Sequence, residues 1–339
     1  MITYHSCKPR NILSYMRHGK VVINLLIIVF VILLGCFALI PNKQQNSGFI
    51  RGYIEHDQDK KTLKYEDTLV RFNAPEPTWL PKETFGTANQ PNINGASGVL
   101  VELNSGKILF EKDLTTKKPI ASLAKVMTAI IAIEHKALTE KIYVSEKAAS
   151  IGENTMGISQ GEVYTLDELL HGLIMHSGND AAYAISEGVA GDTTTFVEWM
   201  NLKSRELGLE DTYFADPSGL DDTSYSTPKD LVKLTRYALK YPELKKMGNT
   251  VEYELPENNA HKYIYLYNQT NLLTTYPGVK GFKTGYTEEA GLCLITYAEN
   301  EGKEVIGVVL GSGDRKGDMI LMLDHGFSTL GVVVEHNLL

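Results

Sequence analysis

The chain has 339 residues, and its formal net charge at pH 7 is −8. Residues 1–40 contain four basic residues and no acidic one, so the rest of the chain carries a net charge of −12. A chain of this length can bury a large core, and its acidic character is unsuited to a phosphate backbone, so we expect a globular protein without a nucleic-acid partner.

The N-terminus has the pattern of a membrane anchor. Residues 21–40 carry no charge and are apolar except for Asn24, and about 20 such residues are enough to cross a bilayer as a helix. The basic residues within 1–20 favour a cytoplasmic N-terminus and place the rest of the chain outside. We predict an uncleaved transmembrane anchor over 21–40, because no A-x-A-like cleavage site follows it.

One alternative for the anchor stays open. The string Leu33-Leu-Gly-Cys36 resembles a bacterial lipoprotein processing box, so the protein could instead be a lipoprotein attached at Cys36. The apolar run continues past Cys36 to a full spanning length, which favours the transmembrane helix. In this topology Cys7 lies in the cytoplasm, Cys36 within the membrane and Cys293 on the extracytoplasmic side. Cys293 therefore has no partner cysteine on its side, and no disulfide is expected there.

Two regions follow the anchor. Residues 41–93 are polar, contain several prolines and show few periodic apolar positions. They are predicted to form an extracytoplasmic linker that is mostly irregular, with a short ordered piece around residues 68–72. A globular domain is predicted over residues 94–339.

The domain begins with a predicted hairpin and a buried helix. Residues 99–103 and 107–110 are strand-like and flank an Asn-Ser-Gly turn. Residues 124–133 are apolar on nearly every face, which is typical of a helix that is buried all round. Ser122 would lie in the first turn of this helix, and Lys125, three residues later, on the same face.

The pair Ser122 and Lys125 fits a serine nucleophile with a lysine base. A serine hydroxyl attacks efficiently only when a base within hydrogen-bond reach takes its proton. Burial and the positive end of the helix dipole both disfavour the ammonium form, which predicts a lowered pKa for Lys125. The same spacing also fits a serine N-cap beside a lysine that reaches solvent, so this motif alone leaves both interpretations open.

A second string, Ser177-Gly-Asn179, lies between two predicted helices. Thr165-Leu-Asp-Glu168 has the form of a capping box that opens the first helix, and the second runs from about residue 180 to 189. Serine, glycine and asparagine are common turn residues, so composition alone favours an ordinary bend here.

A third string, Lys283-Thr-Gly285, follows a Pro-Gly turn and begins a strand-like stretch. Lys283 and the Thr284 hydroxyl could hold a carboxylate. Gly281 and Gly285 would leave bare backbone along which an extended peptide could pair. The alternative is an exposed edge strand protected by its lysine.

Two strands and a helix complete the domain. Residues 292–298 and 305–310 form a predicted hairpin, and residues 318–330 a helix. Strands at both ends of the domain with helices between them indicate an α+β fold. We predict that the first and last segments of the domain form one antiparallel sheet, which is flanked by helices. The middle of the domain forms a helical lobe, and the site lies between the sheet and this lobe.

Other motifs do not point to chemistry. Ser226-Thr-Pro-Lys229 repeats the S-x-x-K pattern, but Pro228 marks the start of a helix with Thr227 as its cap. His171 and His176 are five residues apart, so they cannot share a metal on one helix face as an i, i+4 pair can. We expect no metal and no cofactor.

The three strings that begin at Ser122, Ser177 and Lys283 are more easily explained as parts of one functional site than as three independent coincidences. With their flanking residues they resemble the serine-type D-alanyl-D-alanine carboxypeptidases, low-molecular-mass penicillin-binding proteins of the peptidase S11 type. The resemblance spans most of residues 95–335. It is carried by four blocks: Pro119-Ile-Ala-Ser-Leu-Ala-Lys125, His176-Ser-Gly-Asn-Asp-Ala-Ala182, Asp216-Pro-Ser-Gly-Leu220 and Tyr276-Pro-Gly-Val-Lys-Gly-Phe-Lys-Thr-Gly-Tyr-Thr287.

The resemblance implies a β-lactamase/transpeptidase-like fold and a reaction. Ser122 would attack the carbonyl between the two terminal D-alanines of a peptidoglycan stem peptide. Lys125 would take its proton and later activate water, and Ser177 would relay a proton to the leaving D-alanine. The same chemistry makes β-lactams inhibitors that acylate Ser122.

The resemblance also implies binding roles. Asn179 would hold the substrate amide or Lys125. Backbone N–H groups of Ser122 and Tyr286 would meet the oxyanion. The terminal carboxylate would bind Lys283 and Thr284. Further expected contacts are Gly285 and Thr287 of the same block and, as the weakest candidate, Arg315, since a solvated arginine at a helix end is the commoner arrangement.

Two other functions share these strings. A class A serine β-lactamase needs an additional glutamate, and no Glu-x-x-Leu-Asn occurs between Asn179 and Lys283. A non-catalytic sensor of penicillin or peptide would keep the fold, but the intact Ser122, Lys125 and Ser177 disfavour it. The sequence favours the carboxypeptidase.

Overall fold

The computed structural model describes residues 63–71, 81–84 and 89–338. The predicted cytoplasmic residues 1–20, the anchor over 21–40 and the alternative attachment at Cys36 lie outside the described residues. Within the described part of the chain, every helix is too short or too polar to cross a bilayer. The described residues belong to one compact unit, Thr62–Leu339.

The secondary structure of the described residues comprises twelve strands and eight α-helices. The strands are β1 Lys82–Thr84, β2 Ser97–Glu102, β3 Lys107–Lys112, β4 Lys118–Pro119, β5 Lys141–Tyr143, β6 Val163–Thr165, β7 Tyr225–Ser226, β8 Glu252–Leu255, β9 Ile264–Tyr267, β10 Val279–Thr287, β11 Gly291–Asn300 and β12 Lys303–Ser312. The helices are α1 Lys125–His135, α2 Glu146–Ser150, α3 Leu166–Ile174, α4 Asn179–Ala190, α5 Thr193–Glu206, α6 Pro228–Ala238, α7 Pro242–Gly248 and α8 Arg315–Thr329. Turns of 3-10 helix cover Glu66–Thr68, Ala121–Ala124 and Asn271–Thr274.

The main sheet has six strands in the order β1-β3-β2-β12-β11-β10. All neighbours are antiparallel except β1, which runs parallel to β3. The central pairing places Gly307 of β12 opposite Leu100 of β2, so the last segment of the domain pairs with the first. The predicted α+β fold with one sheet and a helical lobe is confirmed.

Both predicted hairpins are present and slightly longer than the apolar runs that indicated them. β2 and β3 turn at Asn104-Ser-Gly106, and β11 and β12 turn at Glu301-Gly302. β3, β11 and β12 are extended mainly by polar or half-buried residues, whereas β2 begins two residues earlier, with the buried Ser97 and Gly98.

The helices bury the surfaces that their sequences indicated. All eleven residues of α1 are buried, as expected for a helix without a polar face. The capping box opens α3, with the Thr165 side chain bound to the Glu168 N–H and the Glu168 side chain bound back. α8 starts at Arg315, earlier than predicted, because the Asp314 side chain accepts the Gly317 N–H and caps it.

Part of the predicted linker is built into the compact unit. Tyr65 is buried, and the backbone N–H groups of Val70 and Arg71 donate to the Glu134 carbonyl oxygen at 2.7 and 3.0 Å. β1 adds a further strand beside β3. The predicted domain boundary at residue 94 therefore lies inside the compact unit. The sequence did not indicate this, because an isolated buried residue such as Tyr65 produces no periodic pattern.

Among the residues that the structure describes, three two-stranded sheets lie outside the main sheet: β4 with β7, β5 with β6, and β8 with β9. The sequence did not indicate them, since strands of two to four residues are too short to show an alternating pattern.

Candidate active site

The turn that carries Ser122 is fixed by a neighbouring loop. Ser122 lies in the 3-10 turn that runs directly into α1. Ala121 has a φ of 46°, in the left-handed region. A Cβ on Gly219 would lie 1.9 Å from the Ala121 carbonyl oxygen, so only glycine allows this contact.

Lys125 is fully buried, and its amine meets three oxygens. Nζ lies 2.7 Å from Ser122 Oγ, 2.7 Å from Asn179 Oδ1 and 2.8 Å from the Ser218 carbonyl oxygen. The amide and carbonyl oxygens can only accept hydrogen bonds. In the neutral amine they take both N–H groups, which leaves the lone pair for the Ser122 hydroxyl proton.

The pKa of Lys125 is suited to a base. Burial lowers it to about 7, against the attraction of the Asp216 and Asp180 carboxylates. About half of the amines are then neutral at pH 7. Ser122 and Lys125 therefore form a hydrogen-bonded pair in which the base is available near neutrality, and a lysine reaching solvent is excluded by its burial.

Ser177 occupies a strained bend between α3 and α4. Its φ is 64°, and a non-glycine residue in this region costs roughly 1–2 kcal/mol. The bend is held by Asn154, whose Nδ2 donates to the His176 carbonyl oxygen at 2.8 Å, and by the Gly178 N–H, which donates to the Gly172 carbonyl oxygen at 3.0 Å. Strain maintained in this way is typical of functional sites.

Lys283 is the partner of Ser177. Its Nζ donates to Ser177 Oγ and to the Thr284 carbonyl oxygen, both at 2.8 Å, and its side chain is buried. The pKa of Lys283 is held well below its usual range. The main cause is burial, and the nearby positive charges of Lys125 and Arg315 add to it. An arriving anion would reverse this effect, because an opposite charge stabilises the ammonium form.

The glycines of β10 serve packing. A Cβ on Gly285 would lie 3.1 Å from the Ser122 backbone nitrogen, and a Cβ on Gly281 would lie 2.2 Å from the Gly248 carbonyl oxygen. They let the strand approach the Ser122 turn and the end of α7. The expectation that they also leave bare backbone for a peptide stays a prediction. β10 is the edge strand of the sheet.

Arg315 lies in the site, contrary to the solvated arginine that its position suggested. It is the first residue of α8, and Nη1 donates to the Gly285 carbonyl oxygen at 2.7 Å and to the Cys293 carbonyl oxygen at 3.4 Å. The guanidinium thus fixes β10 and adds a permanent positive charge beside Lys283.

The rest of the β10 block borders the same space. Thr284 is buried, whereas Tyr286 is 59% exposed. The Thr287 hydroxyl donates to Asp222 Oδ1 at 2.5 Å and accepts the Ala290 N–H at 3.0 Å, so it ties β10 to the loop that contains Gly219.

A cavity of about 260 Å³ connects these groups. It is lined by Ser122, Glu153, Asn154, Ser177, Asn179, Gly219, Leu220, Gln269, Thr284, Gly285, Tyr286, Thr287 and Arg315. Sequence reasoning missed Glu153, Asn154 and Gln269, which are isolated polar residues in irregular segments and carry no recognisable signal.

Asp216 and Ser218 were also missed as parts of the site. The Asp216 carboxylate accepts the N–H groups of Ser218, Gly219 and Asp221 at 2.5, 2.8 and 2.7 Å. This loop directs the Ser218 carbonyl oxygen towards Lys125. The Asp-Pro-Ser-Gly-Leu block was a signal, since it contributed to the family resemblance.

Comparison with known proteins agrees with this geometry. The family model of the D-alanyl-D-alanine carboxypeptidases, peptidase S11, matches residues 84–314. The chain belongs to this family. The S11 match contains Ser122, Lys125, Ser177 and Lys283, and it ends one residue before Arg315.

Among S11 relatives, the D-alanyl-D-alanine carboxypeptidase DacF of Bacillus subtilis is 37% identical over 241 residues, which are 68% of this chain and 62% of that protein. DacB2 of Mycobacterium tuberculosis is 31% identical over 252 residues, 72% of this chain and 86% of that protein. The crystal structure of the Streptomyces K15 DD-transpeptidase is similar with a TM-score of 0.68 and 29% identity, covering 71% of this chain and all of that one.

Proposed function

We propose that this protein is a serine-type D-Ala-D-Ala carboxypeptidase that removes the terminal D-alanine from peptidoglycan stem pentapeptides. The observation that supports it most directly is the environment of Lys125. Two acceptors occupy its N–H groups, its pKa is lowered to about 7, and Ser122 Oγ lies 2.7 Å from Nζ.

Acylation begins with proton transfer from Ser122 Oγ to neutral Lys125. Oγ forms a bond to the carbonyl carbon of the D-Ala-D-Ala amide, and the carbonyl oxygen becomes an oxyanion. The amide bond then breaks, the leaving nitrogen takes a proton, and D-alanine departs from a Ser122 ester. Ser177 gives its hydroxyl proton to that nitrogen and takes in exchange the proton that Lys125 received from Ser122, so that Lys125 is neutral again. Lys283 holds the Ser177 hydroxyl through its hydrogen bond.

Lys283, Thr284 and Arg315 form the region for the terminal carboxylate. The buried Lys283 gains a counter-ion when the carboxylate binds, and Arg315 contributes a charge that does not depend on pH. Deacylation uses neutral Lys125 again: Lys125 takes a proton from water as the water attacks the ester, and it returns this proton to Ser122 Oγ as the ester bond breaks and the shortened peptide leaves. A β-lactam carries both a carboxylate and a reactive amide, so it would acylate Ser122 in the same way.

We place the catalytic domain outside the cytoplasmic membrane, attached through the N-terminal segment. The uncharged residues 21–40 and their basic flank support a single-pass anchor, with attachment at Cys36 as the alternative. The extracellular side is also where peptidoglycan is found.

A test is the release of free D-alanine from diacyl-L-Lys-D-Ala-D-Ala by the full-length chain in detergent micelles. Ser122→Ala should lower the rate at least about a thousandfold, because the nucleophile is lost. Ser226→Ala, in the second S-x-x-K string, should keep nearly full activity.

Penicillin labelling separates the other functions. Benzylpenicillin should add its mass once, at Ser122, and the adduct should persist. Rapid turnover of benzylpenicillin would indicate a β-lactamase. Stable labelling without any release of D-alanine would indicate a sensor, and release that survives in Ser122→Ala would refute the mechanism.

A further inference from the structure

The hairpin of β8 and β9 has two different faces. On the inner face Leu255, Ile264 and Leu266 are buried, and Tyr253 stacks on His171 of α3 with ring centroids 3.8 Å apart and an interplanar angle of 12°. This packing holds the hairpin against the helical lobe. The outer face is therefore supported as a rigid platform.

The outer face carries a row of tyrosines. Tyr263, Tyr265 and Tyr267 are 51%, 47% and 53% exposed, and we call them the tyrosine stripe. Alternate residues of a strand lie about 6.6 Å apart, so the stripe is about 13 Å long. Single exposed aromatic residues are ordinary, whereas Tyr265 and Tyr267 on β9 and Tyr263 directly before it expose three rings with polar tips at alternate positions.

Acidic residues lie between the rings. Glu254 is opposite Tyr265 and Glu252 is opposite Tyr267 in the ladder, and the Glu252 carboxylate also accepts a hydrogen bond from the Tyr265 hydroxyl. The surface thus combines aromatic faces with hydrogen-bond acceptors and a local negative charge. It is unfavourable for anionic lipid headgroups and suits a hydroxyl-rich ligand.

The stripe leads to the catalytic cavity. Gln269 continues its alternation and lines the cavity. The Gln269 N–H donates to the Met175 carbonyl oxygen at 3.0 Å, and its side-chain amide exchanges hydrogen bonds of 3.1 and 3.2 Å with Asn154. Asn154 in turn holds the carbonyl of His176, next to Ser177. Platform and catalytic bend are therefore joined by direct contacts.

We infer that the tyrosine stripe binds the glycan strand of the polymer whose stem peptide enters the cavity. Pyranose rings present C–H faces that stack on tyrosine, and their hydroxyls can donate to Glu252 and Glu254. This inference rests on the proposed function, because the glycan is the part of that substrate that must lie outside the cavity. The continuity of stripe and cavity favours a glycan over a protein partner.

The experiment compares a polymer with a short peptide. The double variant Tyr265→Ala/Tyr267→Ala should release D-alanine from insoluble peptidoglycan about tenfold more slowly at subsaturating substrate. Its kcat/KM for the diacyl tripeptide should stay within about twofold of the native value, because neither ring lines the cavity. An equal decrease in rate on peptidoglycan and on the tripeptide, or no decrease on either substrate, would overturn the inference.

Two single variants serve as controls. Tyr143→Ala removes an exposed ring on β5 and should leave both activities unchanged. Tyr213→Ala alters a separate groove of about 1330 Å³, which meets the cavity only at Leu220. A selective loss of polymer turnover in Tyr213→Ala rather than in the stripe variant would place the glycan in that groove and refute our assignment.

Binding can be measured without catalysis. Ser122→Ala protein should co-sediment with insoluble peptidoglycan, and soluble glycan strands freed of peptide should compete. Adding the two stripe substitutions should weaken the binding about tenfold. Failure of peptide-free strands to compete would overturn the stripe even if tripeptide hydrolysis is observed. Competition without tripeptide hydrolysis by the native chain would instead refute the proposed function alone.

Discussion

At the residue scale, the two buried lysines of the site differ in the charges that surround them. Lys125 lies near Asp216 and Asp180, which offset part of the effect of burial and leave its pKa at about 7. Lys283 lies near Lys125 and Arg315, which add to the effect of burial. One amine is therefore a base near neutral pH, and the other gains its charge fully when an anion binds.

This difference predicts the pH dependence of acylation. Only neutral Lys125 accepts the Ser122 proton, and its neutral fraction rises from about one tenth at pH 6 to about nine tenths at pH 8. We expect kcat/KM for the tripeptide to rise about tenfold over that range. Loss of a proton from Lys283 would weaken carboxylate binding and act in the opposite direction. The maximal rate at saturating tripeptide separates the two effects, because the carboxylate is then bound. A flat or falling kcat between pH 6 and 8 would contradict the role of Lys125.

At the scale of elements, the Ser122 turn depends on the loop packed against it. Gly219 has a φ of 77°, and a Cβ there would lie 1.9 Å from the Ala121 carbonyl oxygen. Gly191 has a comparable φ of 86° at the end of α4, but nothing lies within 4 Å of its Cβ position. Substitution of Gly191 would therefore cost only backbone strain, whereas substitution of Gly219 would cost backbone strain and a steric clash.

Alanine substitutions at both positions test this. Gly191→Ala should lower the free energy of unfolding by about 1–2 kcal/mol and leave penicillin acylation unchanged. Gly219→Ala carries the same conformational cost and also displaces the Ser122 turn. We expect a larger decrease in Tm and an acylation rate at least about tenfold lower. Equal effects of the two substitutions on Tm and acylation would show that the contact with Ala121 is unimportant.

At the scale of the whole molecule, a buried charge cluster connects residues 63–71 with the helical lobe. Glu134 Oε2 lies 2.8 Å from Lys203 Nζ, and both side chains are fully buried. The hydroxyls of Tyr237 and Tyr241 donate to Glu134 Oε1 at 2.5 and 2.6 Å. Because the Glu134 carbonyl oxygen also accepts from residues 70–71, the cluster joins those residues to α1, α5 and α6.

Removal of the buried carboxylate should therefore be costly. Glu134→Gln removes the closest counter-ion of the buried Lys203 ammonium, which keeps Glu206 Oε2 at 3.0 Å. We therefore expect a loss of about 3 kcal/mol in the free energy of unfolding by urea, the lower end for a broken buried pair. Glu243→Gln breaks the exposed ion pair in which Arg71 Nη1 donates to both Glu243 carboxylate oxygens at 3.0 Å. This pair anchors the same segment, and its loss should cost less than about 1 kcal/mol. Similar losses for the two variants would argue against a structural role for the buried cluster.

The local features of the protein follow from short stretches of its sequence. The helix with no polar face could only be buried, the capping box could only begin a helix, and the spacing of Ser122 and Lys125 placed nucleophile and base one turn apart, because each depends on residues within a few positions. The short strands and the packing of Tyr65 escaped the sequence-based prediction, and Arg315 was only its weakest candidate. Only tertiary structure decided that Lys283 binds Ser177 across 106 positions and that the Ser218 carbonyl oxygen meets Lys125. Such contacts depend on how the sheet packs against the helical lobe, and no local pattern records that packing.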